Sequence, residues 1–525
     1  MDDSGWHCRL VPRESAPDLT KQRTTYPAPR GYNRMLSPLP AAQWNEATTA
    51  HLLNRAAFGG SPQDIEDLRL MGPDRAVSWL IDYERIPDDT PPPEWTQGLP
   101  DDLITQRNAI SGAVDSDTRN LLQRMRNLDE NKKIADLRYW WMRRMALGPR
   151  PFQEKMTLFW HGHFATSFEK VRFPYFLWLQ NETQRQAATG NFPQLLVSMA
   201  EDPAMLDYLD GERSNRNKPN ENFGREVLEL FTLGEGNYTE QDIQQLAKAF
   251  TGWGLAKDQL RYEYHPTNHD PGPKTIFGQT ANFTGEEALQ VICNQPACAP
   301  FIVSKIWRFF VQDEPPAAVV TALAASFKAS GMDIKQLMRT IFRSQEFYAP
   351  DVIRAQIKSP VQWLLAASHQ LEAPLPTEPM TLVMLLQLGQ ELFQPPNVKG
   401  WDGGVAWVTT NSLLDRYNFA AALVEGQRVP LPSLLGQMRG FNASLEDDGL
   451  LQIGPAAVQQ LFTAPQLATP DSFLTALQAR FLNGSLNPIR LASMREFVQS
   501  RAPLQEPDIR KSIRLLMSTP EYQLT

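Results

Sequence analysis

The chain has 525 residues, 42% of them hydrophobic and 21% charged, with a formal net charge of -8. That is enough apolar material for a sizeable core, and the acidic balance removes any general attraction to nucleic acid or to an anionic membrane. Only Cys8, Cys293 and Cys298 are present, too few for a disulfide-stapled fold; Cys293 and Cys298 read as buried structural thiols, or as a pair that closes in an oxidising compartment.

Residues 1–43 are rich in Pro, Arg and Ser without periodicity and read as an arm ahead of the folded body. Their start shows no charged segment followed by an apolar stretch, and no apolar run approaches the ~18 residues of a membrane span. The chain therefore reads as soluble, without a transmembrane segment or export leader, and cytoplasmic as it stands. Helical signals follow. Ser61 with Pro62 and Asp64 supplies an N-cap, a first-turn proline and a first-turn acid, while Thr284 with Glu287 and Thr239 with Asp242 form capping boxes. From Asp117 to Leu147 helix formers run without Gly or Pro, which predicts one long helix. Apolar residues at three- and four-residue spacing predict further helices within 301–310, 333–347, 357–371 and 409–424.

The fold class expected is mostly α: a large multi-helix body with long Pro/Gly-rich loops and little or no β-sheet. Residues 44–425 form the main helical domain in this reading, and 426–525 a C-terminal helical subdomain. One internal echo stands out. "DIKQLMRTIFRSQEFY" from Asp333 and "DIRKSIRLLMSTPEYQ" from Asp508 align without a gap at a constant offset of 175 residues, as a repeated helix-and-cap unit or as two similar amphipathic helices.

Four stretches bear residues suited to chemistry. In "FWHGHF", His161 and His163 would point apart in a regular helix; a break at Gly162 would swing both imidazoles toward one point, and the alternative is a helix-end histidine beside one held in a polar pocket. "NENFGREVLELF" puts Asn222, Glu226 and Glu229 on one helical face, as ligands or a general base, or as carboxylates paired with Arg225 and solvent. In "YEYHPTNHDPG" the prolines exclude a helix, so His265, His269 and Asp270 lie on a shaped loop. "NVKGWDGGVAW" places Trp401 and Trp407 around glycine turns, where they wall a pocket for a sugar ring or peptide, or pack a turn. No phosphate loop, dinucleotide fingerprint, nucleophile elbow or haem motif is present.

Together "HLLNRAAFGGSPQDIEDL", "EKMTLFWHGHFATS", "YLDGERSNRNKPNENFGREVLELFTLGEGNYTEQDIQQLAKAFTGW", "HDPGPKTIFG", "PACAPFIVSKIWRFFV", "PPNVKGWDGGVAW" and "STPEYQ" resemble the bacterial family catalogued as domain of unknown function 1800, in order over roughly nine tenths of the chain. The family commonly has Asn where this chain has Gly162, Ala where it has Gly224 and often His where it has Gln295. The resemblance implies that the histidine pair, the Asn-Glu-Asn helix and the His-Asp loop belong to one set. It also implies a periplasmic or extracytoplasmic location for many members and, from gene neighbourhood, a sulfatase-like partner protein.

The leading expectation is a metal-dependent hydrolase or transferase acting on a polymer or its fragments. His161, His163 and Glu226, with His269 and Asp270, would hold Zn²⁺, Mn²⁺ or Fe²⁺; Glu221 or Glu229 would act as base and Arg225 would steady an anionic transition state. Asn222, His265, Trp401 and Trp407 would meet substrate. The alternatives are a non-enzymatic helical scaffold whose motifs are buried polar networks pinning helix ends, and a carbohydrate- or peptide-binding module built on the tryptophans.

Overall fold

Helix ends fall where capping chemistry places them. The Ser61 hydroxyl accepts from the Asp64 amide at 3.2 Å and opens the helix Pro62–Met71; Thr239 and Thr284 open Glu240–Ala249 and Gly285–Cys293 through reciprocal capping boxes. Each such cap stabilises its helix by about 1 kcal/mol. The long helix spans Ser116–Leu147, and the later helices form as Cys298–Phe310, Ile334–Arg343, Pro360–Gln370 and Thr410–Glu425. The computed structural model describes residues 35–97, 105, 108–256, 260–426, 428–430, 450–453 and 455–525. Most of the predicted arm, with Cys8, lies outside the described residues.

The fold is mostly α, as expected. Among the described residues β-structure is limited to three two-stranded antiparallel ribbons: Trp253–Ala256 with Arg261–Tyr264, Lys274–Ile276 with Gln279–Ala281, and Arg428–Pro430 with Leu450–Gln452. The first two frame the His-Asp loop. Residues 36–525 form one compact unit. A continuous apolar core runs through Phe58, Trp141, Leu177, Trp363, Met384 and Phe419 and on through Phe473, Leu516 and Tyr522, so residues 455–525 share the core of the preceding body.

Inside that core sits a paired ionic network. Glu154 is fully buried, yet its carboxylate accepts from Arg144 Nε at 2.6 Å, Arg185 Nε at 2.7 Å, Arg185 Nη2 at 3.0 Å and Trp141 Nε1 at 2.8 Å. Asp88 pairs with Arg144, and Glu182 with Arg185. Burial alone would raise the Glu154 carboxyl, but Arg185 and then Arg144 outweigh it and hold it below the ordinary range. Three helices, Ser116–Leu147, Pro151–His163 and Pro174–Gln186, meet at this one group.

The sequence echo has a geometric counterpart. Ser344 Oγ accepts from the Phe347 amide and Thr519 Oγ1 from the Tyr522 amide; Glu346 accepts from the Leu36 amide and Glu521 from the Asn487 amide. Phe347 and Tyr522 are both fully buried. The two units differ at their start. Asp333 is the N-cap of its helix, whereas Asp508 lies inside the first turn of Glu506–Met517.

Replacing Glu154 by Gln keeps the shape but leaves Arg144 and Arg185 buried against a neutral group. The expected loss is about 3–5 kcal/mol of unfolding free energy, read from urea titrations. A loss below about 1 kcal/mol would show that the network is not a keystone of the fold.

Candidate functional site

The helix Pro151–His163 presents the histidine pair at its C-terminal end, and Gly162 lies within the helix rather than breaking it. This corrects the expected bend. Gly162 has no left-handed backbone angle and continues the helix, and the two imidazoles diverge as residues two apart on a helix must.

His163 is buried and both of its ring nitrogens are used. Nε2 lies 3.1 Å from the Phe231 carbonyl, which only accepts, so the proton resides on Nε2; Nδ1 then accepts from Lys305 Nζ at 3.3 Å. Lys305 also donates to the Leu230 carbonyl at 3.0 Å. Those carbonyls belong to a π-helical turn, Val227–Thr232, that continues the α-helix Glu221–Glu226. Its wider winding sends the Leu233 amide back to Leu228, and the turn's last carbonyls find His163 and Lys305 instead of an amide of the helix. Burial, then the Lys305 charge, pushes the His163 imidazole well below its ordinary pKa; burial lowers Lys305 to about 8.

His161 faces the other way. The Phe393 amide donates to its Nε2 at 3.0 Å, which fixes the proton on Nδ1; that N–H is buried and has no hydrogen-bond partner among the described residues. The ring stands edge-on to Trp141 and Phe393, with centroids at 5.0 and 4.8 Å, and Trp401 lies 5.7 Å away. Burial, then Arg138, lowers its pKa to about 3. Both histidines are thus neutral, and each holds a backbone group.

The fourth motif packs on the first. At Gly400, φ is +84° and a Cβ would stand 2.2 Å from the Gly162 carbonyl oxygen, so the loop carrying Trp401 touches the helix backbone directly. Gly162 itself has open space where its Cβ would be. Gly224 is tighter: a Cβ would meet the Ile243 carbonyl at 3.3 Å. Trp407 is buried and Trp401 half-buried, a poor match to an open aromatic wall.

The carboxylates stay nearer the surface. Glu221 and Asn222 are exposed, and Arg225 forms a two-pronged pair with Glu240 at 2.9 Å. Glu229 accepts from the Tyr238 hydroxyl at 2.7 Å. Glu226 is half-buried; burial and then Glu229 raise its pKa, while Lys399 from the Gly400 loop opposes them. Glu226 in turn raises the Tyr208 hydroxyl, after burial.

The His-Asp loop forms a unit of its own. His269 Nδ1 donates to the Thr251 carbonyl at 2.8 Å, the Asp270 amide donates to Thr251 Oγ1 at 2.8 Å, and Asp270 Oδ1 accepts from the Gly272 amide at 2.8 Å. Lys274 spans the loop by donating to the Asp270 and Gly272 carbonyls, and His265 lies 3.7 Å from Glu263. The structure therefore joins "FWHGHF", the π-turn and the Gly400 loop through backbone contacts. It does not gather His161, His163, Glu226, His269 and Asp270 around one point: among the described residues no three His, Cys, Asp or Glu side chains are placed to hold a metal ion. Sequence reasoning missed Lys305, Phe393 and Lys399. Lys305 had a signal, as a cation inside an otherwise apolar helical stripe.

A family model described as "Protein of unknown function (DUF1800)" matches residues 51–524. Comparison with curated proteins and with solved structures finds no match.

Two outcomes are expected. Gly162→Ala fits its open helical position and changes stability by less than about 1 kcal/mol, on the stabilising side, whereas Gly400→Ala meets both a left-handed angle and the Gly162 carbonyl and loses about 2 kcal/mol or more; urea midpoints compare them. For His163 the folded-state pKa is depressed, so below the unfolded value of about 6.5 the unfolded chain takes up a proton that the folded one refuses. The stability advantage of wild type over His163→Gln should shrink as pH falls below 6.5, by up to about 1.4 kcal/mol per pH unit. A pH-independent gap would contradict the buried neutral imidazole.

Proposed function

We propose that this chain, which belongs to the DUF1800 family, is a helical scaffold that acts by holding a partner protein rather than by housing a histidine metal centre. One observation carries the reading: His163 spends both ring nitrogens on Phe231 and Lys305, and His161 spends its acceptor on the Phe393 amide. Ligands need a free lone pair aimed at a shared point, and these lone pairs already receive protons from the protein. The resemblance described above makes a sulfatase-like protein the first partner to test, by co-elution of the two purified proteins.

A second reading rests on the surface beside the π-turn. Glu226, with its raised pKa, shares that surface with Glu229, Tyr208 and Lys399, a composition suited to general acid catalysis of hydrolysis on a polymer. Metal dependence would then come from groups other than the histidine pair. Glu226→Gln separates the two readings: a scaffold keeps partner co-elution and has no turnover to lose, whereas an enzyme keeps its fold and loses hydrolysis.

For the leading reading, His163→Ala should lower unfolding stability by about 1–3 kcal/mol, because the Phe231 carbonyl and Lys305 lose a buried partner. The loss should be the same in chelator and in excess Zn²⁺, Mn²⁺ or Fe²⁺. A wild-type midpoint that falls in chelator and recovers with one of these ions, with neither response in His163→Ala, would restore the histidine metal centre.

A further inference from the structure

Near the end of the chain, three elements bring together two cations and two further hydrogen-bond donors. Lys358 lies one residue before Ser359, the N-cap of the helix Pro360–Gln370, and Trp363 lies near that helix's start. Arg416 comes from Thr410–Glu425 and Tyr522 from the terminal turn Pro520–Gln523. All four are buried, at 3% exposure or less. Lys358 Nζ sits over the Tyr522 ring, 3.9 Å from its centroid, and the Trp363 ring stands edge-on to Tyr522 at 6.4 Å. Arg416 Nη2 donates to the Lys358 carbonyl at 2.9 Å and Nη1 to Gln523 Oε1 at 3.1 Å.

Three donors remain unused. Among the described residues, the Tyr522 hydroxyl, the Trp363 indole N–H and Arg416 Nε are buried without a protein partner. The charged neighbours of Lys358 are Arg416 and Arg354, both of its own sign, and the start of the Pro360–Gln370 helix adds a further positive end. This is the opposite of the Glu154 network, where a carboxylate answers two guanidinium groups. Buried cations and buried donors both cost free energy until an acceptor meets them.

We propose that Lys358, Arg416, Trp363 and Tyr522 form a buried binding site for a small inorganic anion. The two cations neutralise it, and the indole N–H and phenol O–H complete its shell. Without an anion, burial forces the lysine down to about 7 and the arginine to about 10; the arginine keeps its charge, and binding restores the charge of the lysine. The site also joins the chain's end to its core, because the Lys358 amide donates to the Gln523 carbonyl at 2.8 Å and the Thr525 amide to the Gln356 carbonyl at 2.8 Å.

The test is thermal unfolding of the full chain in a zwitterionic buffer, titrated separately with chloride, sulfate and phosphate. Wild type should show a saturable rise of about 3 °C or more with at least one of them, reached at a lower concentration than general salt effects require. Lys358→Met should melt at or above wild type without anion, since it removes a buried cation whose charged neighbours are of its own sign, and should lose the saturable rise. Tyr522→Phe, which keeps the packing, should weaken the response at least two-fold and serves alone if Lys358→Met does not fold. The proposal is overturned by a rise that never saturates, by no rise, or by equal responses in wild type and variants.

Discussion

A buried carboxylate is tolerated only when cations reach it, and Glu154 makes that requirement for three helices at once. Arg144 and Arg185 arrive from the helices on either side in sequence, and Trp141 adds an indole N–H. The register of Pro151–His163 follows. His161, seven residues beyond Glu154, emerges on the same side of the helix, where Trp141 touches both; His163 emerges on the opposite side. The helix end is therefore aimed by chemistry two turns earlier.

Two unusual backbone features meet at that end. The π-turn at Val227–Thr232 presents carbonyls that its own helix does not satisfy, and the Gly400 loop lies against the helix backbone. His163 with Lys305 answers the first, while His161 anchors Phe393 just before the second. The histidines thus act as donors and acceptors of fixed tautomer between segments remote in sequence. Burial keeps them neutral, which a pinning role requires and which a proton-transfer role near neutral pH would not favour.

Much of the fold was legible. Caps at Ser61, Thr239 and Thr284 are local chemistry, and the absence of Gly and Pro between 117 and 147 leaves little but helix. The short ribbons escaped because strands of three or four residues, such as Arg261–Tyr264, are too short for alternation to stand out. The site was legible in its parts and not in its joints. "FWHGHF" and the Gly400 stretch were both singled out, and they do touch. The face shared by Asn222, Glu226 and Glu229 assumed a constant helical period, which the π-turn interrupts after Glu226. Gly162 was read as a hinge because glycine permits left-handed angles; permission is not requirement, and at this contact it is Gly400, not Gly162, that uses such an angle.

The contact at Gly400 bears on how homologous sequences should be read. Any side chain there collides with a main-chain oxygen that cannot move without unwinding the helix end. Selection for folding alone would then preserve this residue across relatives of differing activity, so its invariance in an alignment would mark a steric seam rather than a reactive centre. Residue 162, on the other side of the same seam, is free to drift.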